Sequence, residues 1–347
     1  MTNWFENETA NADESQAEQA VARQGQLTKP PGSLGRLEEA AVRLCALQAR
    51  PEPAVDHVEI VVFAGDHGVV DEGISAFPQV VTGEMVRNFV RGGAAISVLA
   101  EQLGAGLTVV NMGLVSVDAF GDPVVDRPVG PGTRNFAVEP AMSRDQCFQA
   151  MSAGKEIVYQ FTAQVELLVG GEMGIGNTTA AAALACALGA GSADELAGPG
   201  TGLDSAGVSH KCRIIEKALA RMGERGDPVE VLAELGGYEI AALTGFYIAA
   251  AQRGIPCLVD GFITSVAALV ANRINPGCRE WQLFSHASAE PGHARVMTAL
   301  SAQPLLDLGM RLGEGSGAGI AVNILRSGCG LHNRMATFEE ASVSDGS

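Results

Sequence analysis

The sequence predicts an α/β fold, a doubly wound parallel sheet with a small helical domain drawn from the two chain ends. Three observations carry this. Short β-branched runs alternate with helical stretches through the middle of the chain. Each run stops at a polar or Gly-rich turn, the pattern of parallel strands whose carboxyl ends face a ligand. The 347 residues include 43 glycines and are 47% hydrophobic but only 5% aromatic, which suits small aliphatic helices packed closely on a buried sheet.

Residues 1–24 read as helical or frayed. The rigid segment KPPGSLG at 29–35 caps a helix with Leu37, Ala41, Leu44 and Leu47 on one face, ended by Pro51 and Pro53. A first strand at 58–64 stops at Gly65-Asp66-His67-Gly68. One helix is expected over 82–103, then a second strand at 107–111. The stretch 115–140 is rich in Pro and Gly and shows no period. A helix at 143–160 leads to a third strand at 165–169, ending at Gly170-Gly171-Glu172. A small-residue helix at 177–188, a loop at 190–204 and a helix at 209–222 follow. Gly236 and Gly237 open a helix at 240–252. The fourth strand, 256–259, stops at Asp260-Gly261 before a helix at 264–271, and the fifth, 281–284, stops at Ser285-His286. The last helices lie at 293–299 and 317–325, and the polar tail from Cys329 is expected to be disordered. Helices at both ends lack strand partners. The expected division is therefore 1–55 and 301–347 for the helical domain and 56–300 for the α/β domain.

Charge narrows the function. A formal net charge of −17 repels nucleic acid and anionic membrane, so neither is an expected partner. Any phosphate site must be built locally from backbone N–H groups and a few cations. The seven cysteines are scattered without a CxxC pair, so they read as small apolar core residues rather than a disulfide framework or a zinc site. The N-terminus lacks an apolar signal region and the most apolar stretch, 178–188, is too short to span a bilayer. A cytoplasmic protein is expected.

Several segments carry candidate chemistry. GGEMGIGNTT at 170–179 follows a strand and opens a helix, where free N–H groups meet an anion. It lacks the Lys of a Walker loop, and Thr179 stands where a dinucleotide fingerprint needs a small residue. It reads either as an anion loop or as a turn whose glycines serve packing. A second loop, Gly198-Pro199-Gly200-Thr201-Gly202, precedes Lys211, which is either a phosphate ligand or a solvated lysine. RLGEGSGAG at 311–319 embeds Glu314 among glycines. They admit a planar ligand and partly desolvate the carboxylate toward general-base strength, unless Glu314 is an exposed turn residue capping the next helix. Asp66 and His67 mark a site or a loop scaffold, and Phe77 and Pro78 can line a slot for a flat ring. His286, Glu290 and His293 have helical ligand spacing, but Pro291 interrupts the helix, so no metal site is expected.

Together these segments resemble the nicotinate-nucleotide–dimethylbenzimidazole phosphoribosyltransferases of cobalamin biosynthesis. The matching pieces are KPPGSLGRLE at 29–38, GDHGVVDEGISAFPQVVT at 65–82, GGEMGIGNTT at 170–179, GTGLD at 200–204, VDGFITS at 259–265, SHASAEPGH at 285–293 and RLGEGSGA at 311–318, in family order. The resemblance implies a Rossmann-like sheet, a homodimer and no metal or redox cofactor. By motif it implies Glu314 as catalytic base and Glu172 as a second active-site acid. The phosphate-binding residues map to Gly174, Gly176, Thr178, Gly200, Gly202 and Lys211. Ser75, Phe77 and Gln79 fall in the segment for the base pocket, with Leu312 beside it, and Asp260 and Ser288 fall near the nucleotide. One departure is Pro199, where the family's loop usually has Arg. The small-molecule substrates implied are nicotinate mononucleotide and a benzimidazole-type base. Two rivals are weaker. A nicotinamide-dependent oxidoreductase needs a glycine fingerprint where Gly65-Asp66-His67-Gly68 stands. A non-catalytic nucleotide sensor has no need of both Glu314 and Glu172.

Overall fold

The computed structural model describes residues 3–115, 120–224 and 226–344. Two helices open the chain, α1 (Glu14–Gln26) and α2 (Arg36–Leu47). Then come β1 (Val58–Gly65), α3 (Val80–Val90), α4 (Ala95–Leu103), β2 (Gly106–Gly113), β3 (Val125–Asp126), α5 (Arg144–Gln160), β4 (Leu167–Met173) and α6 (Asn177–Ala187). The second half contains α7 (Ala193–Leu196), α8 (Ser205–Met222), α9 (Pro228–Leu235), α10 (Tyr238–Arg253), β5 (Cys257–Val259), α11 (Phe262–Ile274) and β6 (Gln282–Phe284). It closes with α12 (His293–Ala299), α13 (Ser316–Arg334) and α14 (Phe338–Ala341).

The strands form one six-stranded sheet in the order β3-β2-β1-β4-β5-β6, paired in parallel throughout. This is the Rossmann-type order, and it reverses direction between β1 and β4, where a crevice opens beyond the strands' carboxyl ends. Alternate residues of β1 feed two cores, as a strand covered on both faces requires. Val61 and Phe63 join α5, α6, α10 and α11 on one side, while Ile60, Val62 and Ala64 join α2, α3, α4 and α13 on the other. Helix α2 packs against both α1 and α13, and Leu27 bridges to Thr337, so the chain ends meet. Helix α13 also packs on α4 and β4.

The fold class matches the sequence reading, with local differences. The helix expected over 82–103 is two helices, because Gly92 adopts φ +82 and ends α3. The third strand sits later than expected and includes Glu172, because Gly170 and Gly171 continue the pairing with β1. The strand β3 and the helices α7 and α9 have no periodic signal in so few residues; β3 lies in the stretch 115–140, of which 116–119 fall outside the described residues. From Cys329 to Ser344, the last described residue, the tail is not disordered. Helix α13 continues to Arg334 because His332 is buried against Gln24, and Thr337 and Glu340 form a capping box that starts α14. The seven cysteines are free thiols.

Candidate active site

A cavity of about 490 Å³ opens beyond the carboxyl ends of β4, β5 and β6. Phe77, Val81, Met85, Ile263 and Leu312 give it an apolar wall, and Glu172, Asn177, Thr178, Gly200, Ser288, Glu290, Arg311 and Glu314 give it a polar one. An apolar slot with a few convergent polar groups is how a flat ring with a charged appendage is held.

Glu314 is fixed from two sides. It has φ +65 between Gly313 and Gly315, which also have positive φ, a backbone region that costs a side-chain-bearing residue energy unless its surroundings hold it. Asp260, at the end of β5, accepts from the Gly315 amide (3.2 Å) and the Ala318 amide (2.8 Å). It therefore caps α13 and pins the loop. From the other side, β4 approaches so closely that a Cβ on Gly171 would collide with the Glu314 carbonyl. Glu314 is only 7% exposed and its Oε2 has no partner. It is thus neither an exposed turn residue nor the cap of α13. Burial raises its pKa and the Asp260 charge adds to the rise, while the Ile96 amide at the start of α4 opposes it.

Glu172 has a different state. Its Oε2 accepts from Asn177 Nδ2 at 2.5 Å. Burial first, then the charges of Asp260 and Glu239, push its pKa up to about 8. The carboxyl therefore carries a proton at neutral pH. Burial raises both acids, and Glu172 has the further charges of Asp260, Glu239 and Glu314 against it.

The opposite charge gathers around the second glycine loop. Lys211 on α8 is 1% exposed, which excludes the solvated lysine. Its Nζ donates to Thr178 Oγ1 (3.2 Å) and to the Gly198 carbonyl (3.0 Å), and burial lowers its pKa while Glu290 opposes the fall. Arg311 donates to the Gly200 carbonyl at 3.1 Å, so a guanidinium stands at this loop although position 199 is proline. Gly200 needs its φ of +52, and a side chain there would press on Thr178 and Lys211.

The structure brings Glu314, Glu172, Gly174, Thr178, Gly200, Phe77, Ser288 and Leu312 to the cavity wall, with Lys211 directly behind Thr178. It sets others back. Gly176 is the N-cap of α6 and lies against Val70 and His67, which supports the packing reading of that glycine. The Gly202 amide donates to the Pro199 carbonyl within its own turn. Ser75 meets Thr201 Oγ1 at 3.2 Å and Gln79 donates to the His67 carbonyl at 3.1 Å, so both tie loops together. Asp260 acts through α13. His286, Glu290 and His293 face different partners. His286 meets Ser285, Glu290 faces Lys211, and His293 accepts from the Ser288 amide, its pKa pushed down to about 4 by burial and by His286. Sequence reasoning missed Arg311, Glu290, Ile96 and the α3 residues Val81 and Met85. The two α3 residues stand four apart on one helix face, a signal that was available; the Ile96 contact crosses the fold and had none.

Comparison with known proteins identifies the family. A family model described as phosphoribosyltransferase matches residues 9–343. The chain is 58% identical over 344 residues to the nicotinate-nucleotide–dimethylbenzimidazole phosphoribosyltransferase of Pseudomonas aeruginosa (strain LESB58), covering 99% of this chain and 98% of that one. The protein of the same name from Pseudomonas fluorescens (strain SBW25) is 56% identical over 350 residues, again 99% and 98% of the two chains. Among solved structures, the Thermus thermophilus enzyme of that name superimposes with a TM-score of 0.91 at 43% identity, covering 96% of this chain and 100% of that one.

Proposed function

The chain belongs to the nicotinate-nucleotide–dimethylbenzimidazole phosphoribosyltransferase family, and from that premise we propose that it transfers the phosphoribosyl group of nicotinate mononucleotide to 5,6-dimethylbenzimidazole or a related base. The products are nicotinate and an α-ribazole 5′-phosphate, destined for the nucleotide loop of cobalamin. The observation that carries this is the unpartnered Glu314 Oε2 in the same cavity as a loop served by Lys211, Thr178 and the Gly200 backbone.

The donor is a pyridinium glycoside, so nicotinate leaves with a neutral ring nitrogen and needs no general acid. The acceptor's unprotonated ring nitrogen attacks C1′ from the opposite face, which inverts the anomeric centre. Positive charge then builds on the acceptor ring and acidifies its other N–H. Glu314 takes that proton, a contribution on the order of 10²–10⁴-fold. Glu172, held neutral, leaves Glu314 as the ionised acid and offers a donor rather than a second repelling charge. The phosphate anchors the ribose at the glycine loop, so the reacting atoms stay aligned. The apolar wall of Phe77, Val81, Met85 and Leu312 receives the flat base.

The proposal extends to a cytoplasmic homodimer, as the family resemblance implies. Among the described residues no helix is long and apolar enough to cross a membrane. Light scattering tests the dimer, with twice the 35.8 kDa chain mass expected. The activity is tested by incubating the protein with nicotinate mononucleotide and a panel of bases and measuring released nicotinate. Release dependent on a benzimidazole supports the reading, and no release with any base of the panel overturns it.

A further inference from the structure

Glu290 is a buried acid inside what is otherwise a phosphate site, and the proposed reaction gives it no role. It is 7% exposed and lines the cavity beside Gly200 and Arg311. Burial raises its pKa, while the charges of Lys211 and Arg311 and the Gly200 amide oppose the rise. It lies so close to the loop that a Cβ on Gly198 would strike its Oε2 and the ring of Pro291. Lys211 in turn holds the Gly198 carbonyl and Thr178 Oγ1. The Ser288 hydroxyl accepts from the Glu290 amide at 3.3 Å, which fixes the backbone from which the carboxylate reaches over.

A ribotide phosphate bound at this loop would use the same groups: the Gly200 N–H, the Lys211 ammonium and the Arg311 guanidinium. Two anions cannot share one donor set without strong repulsion in a partly desolvated cavity. We infer that Glu290 is an internal acid packed against the glycine loop at Gly198, whose charge competes with the nucleotide's phosphate, so that it must turn away from the loop when the phosphate enters. This rests on the phosphate reading of the loop given above. In the empty enzyme the carboxylate counters the charge of the buried Lys211. When product forms, its return competes with the phosphate and speeds release.

The test is calorimetric titration of the intact protein with ribose 5-phosphate, comparing wild type with E290Q, E290A and K211A. Removing a competing charge is expected to tighten binding about tenfold in both Glu290 variants, with a matching fall in KM for nicotinate mononucleotide and no gain in kcat. A variant that had merely lost structure would bind more weakly, so a gain in affinity separates the two cases. Equal or weaker binding by E290Q or E290A, while K211A loses affinity, overturns the internal-anion role and leaves the phosphate reading standing. Wild-type affinity in K211A removes the phosphate reading and this inference with it. A structure of the wild-type protein with ribose 5-phosphate is independent of the variants' folding. The carboxylate displaced from Gly198 supports the inference, and phosphate bound with Glu290 still packed against Gly198 overturns it.

Discussion

Replacing Glu172 with glutamine removes a carboxyl whose pKa burial and the charges of Asp260 and Glu239 raise from 4.5 to about 8. Between those limits the native state keeps a proton that the unfolded chain has released. Folding then takes up a proton, so stability falls as pH rises through the window and is fully recovered below the unfolded value. Each unit corresponds to about 1.4 kcal/mol, so wild type loses about 4 kcal/mol through this residue between about pH 5 and about pH 8. The glutamine variant has no such group. Glu314 and Asp260 are also raised and contribute slopes of the same sign in both proteins, so the difference reports Glu172 together with its coupling to them. Guanidinium unfolding followed by circular dichroism at four pH values in that range measures it. The variant is expected to gain on wild type steadily with pH. Parallel stability profiles would refute the neutral state assigned to Glu172 and with it the division of labour between the two acids.

Other outcomes follow from the same geometry. Lys211→Ala is expected to raise the KM for nicotinate mononucleotide about tenfold or more while kcat changes little, and steady-state kinetics checks the split. Gly171→Ala forces β4 away from the Glu314 carbonyl; it should cost about 1–3 kcal/mol in a denaturant titration and lower kcat by displacing the base. The rate should fall on the acid side with a midpoint above the ordinary glutamate value of about 4.3, because Glu314 must be ionised and burial raises it. A pH–rate profile with no acid limb above that value would count against it.

The sheet was legible because its strands are apolar runs with polar stops, and three of the stops bear a residue at the cavity rim or just behind it: Glu172 after Val169, Asp260 after Val259, His286 after Phe284. Glu314 was legible through its glycines, which the positive φ values of Gly313 and Gly315 require. What could not be read was pairing at a distance. Nothing near Glu314 in sequence names the Ile96 amide, and nothing near Lys211 names Glu290, whose spacing with two histidines raised only a metal site that Pro291 argues against. Ser75, Gln79 and Gly202 fall in the right segments, yet their polar groups close turns and join loops. A motif reports which backbone comes near a ligand and is silent on which side chains point at it. The break at Gly92 was visible as two adjacent glycines, but the apolar spacing continues across them and masks it.

The most direct test of the account is single-turnover release of nicotinate by Glu314→Gln, with substrate affinity measured alongside. The glutamine keeps the shape and lacks the charge that accepts the proton. Loss of rate on the order of 10²–10⁴-fold with nucleotide binding retained is expected. Turnover within about twofold of wild type would contradict the assignment of Glu314 as the base.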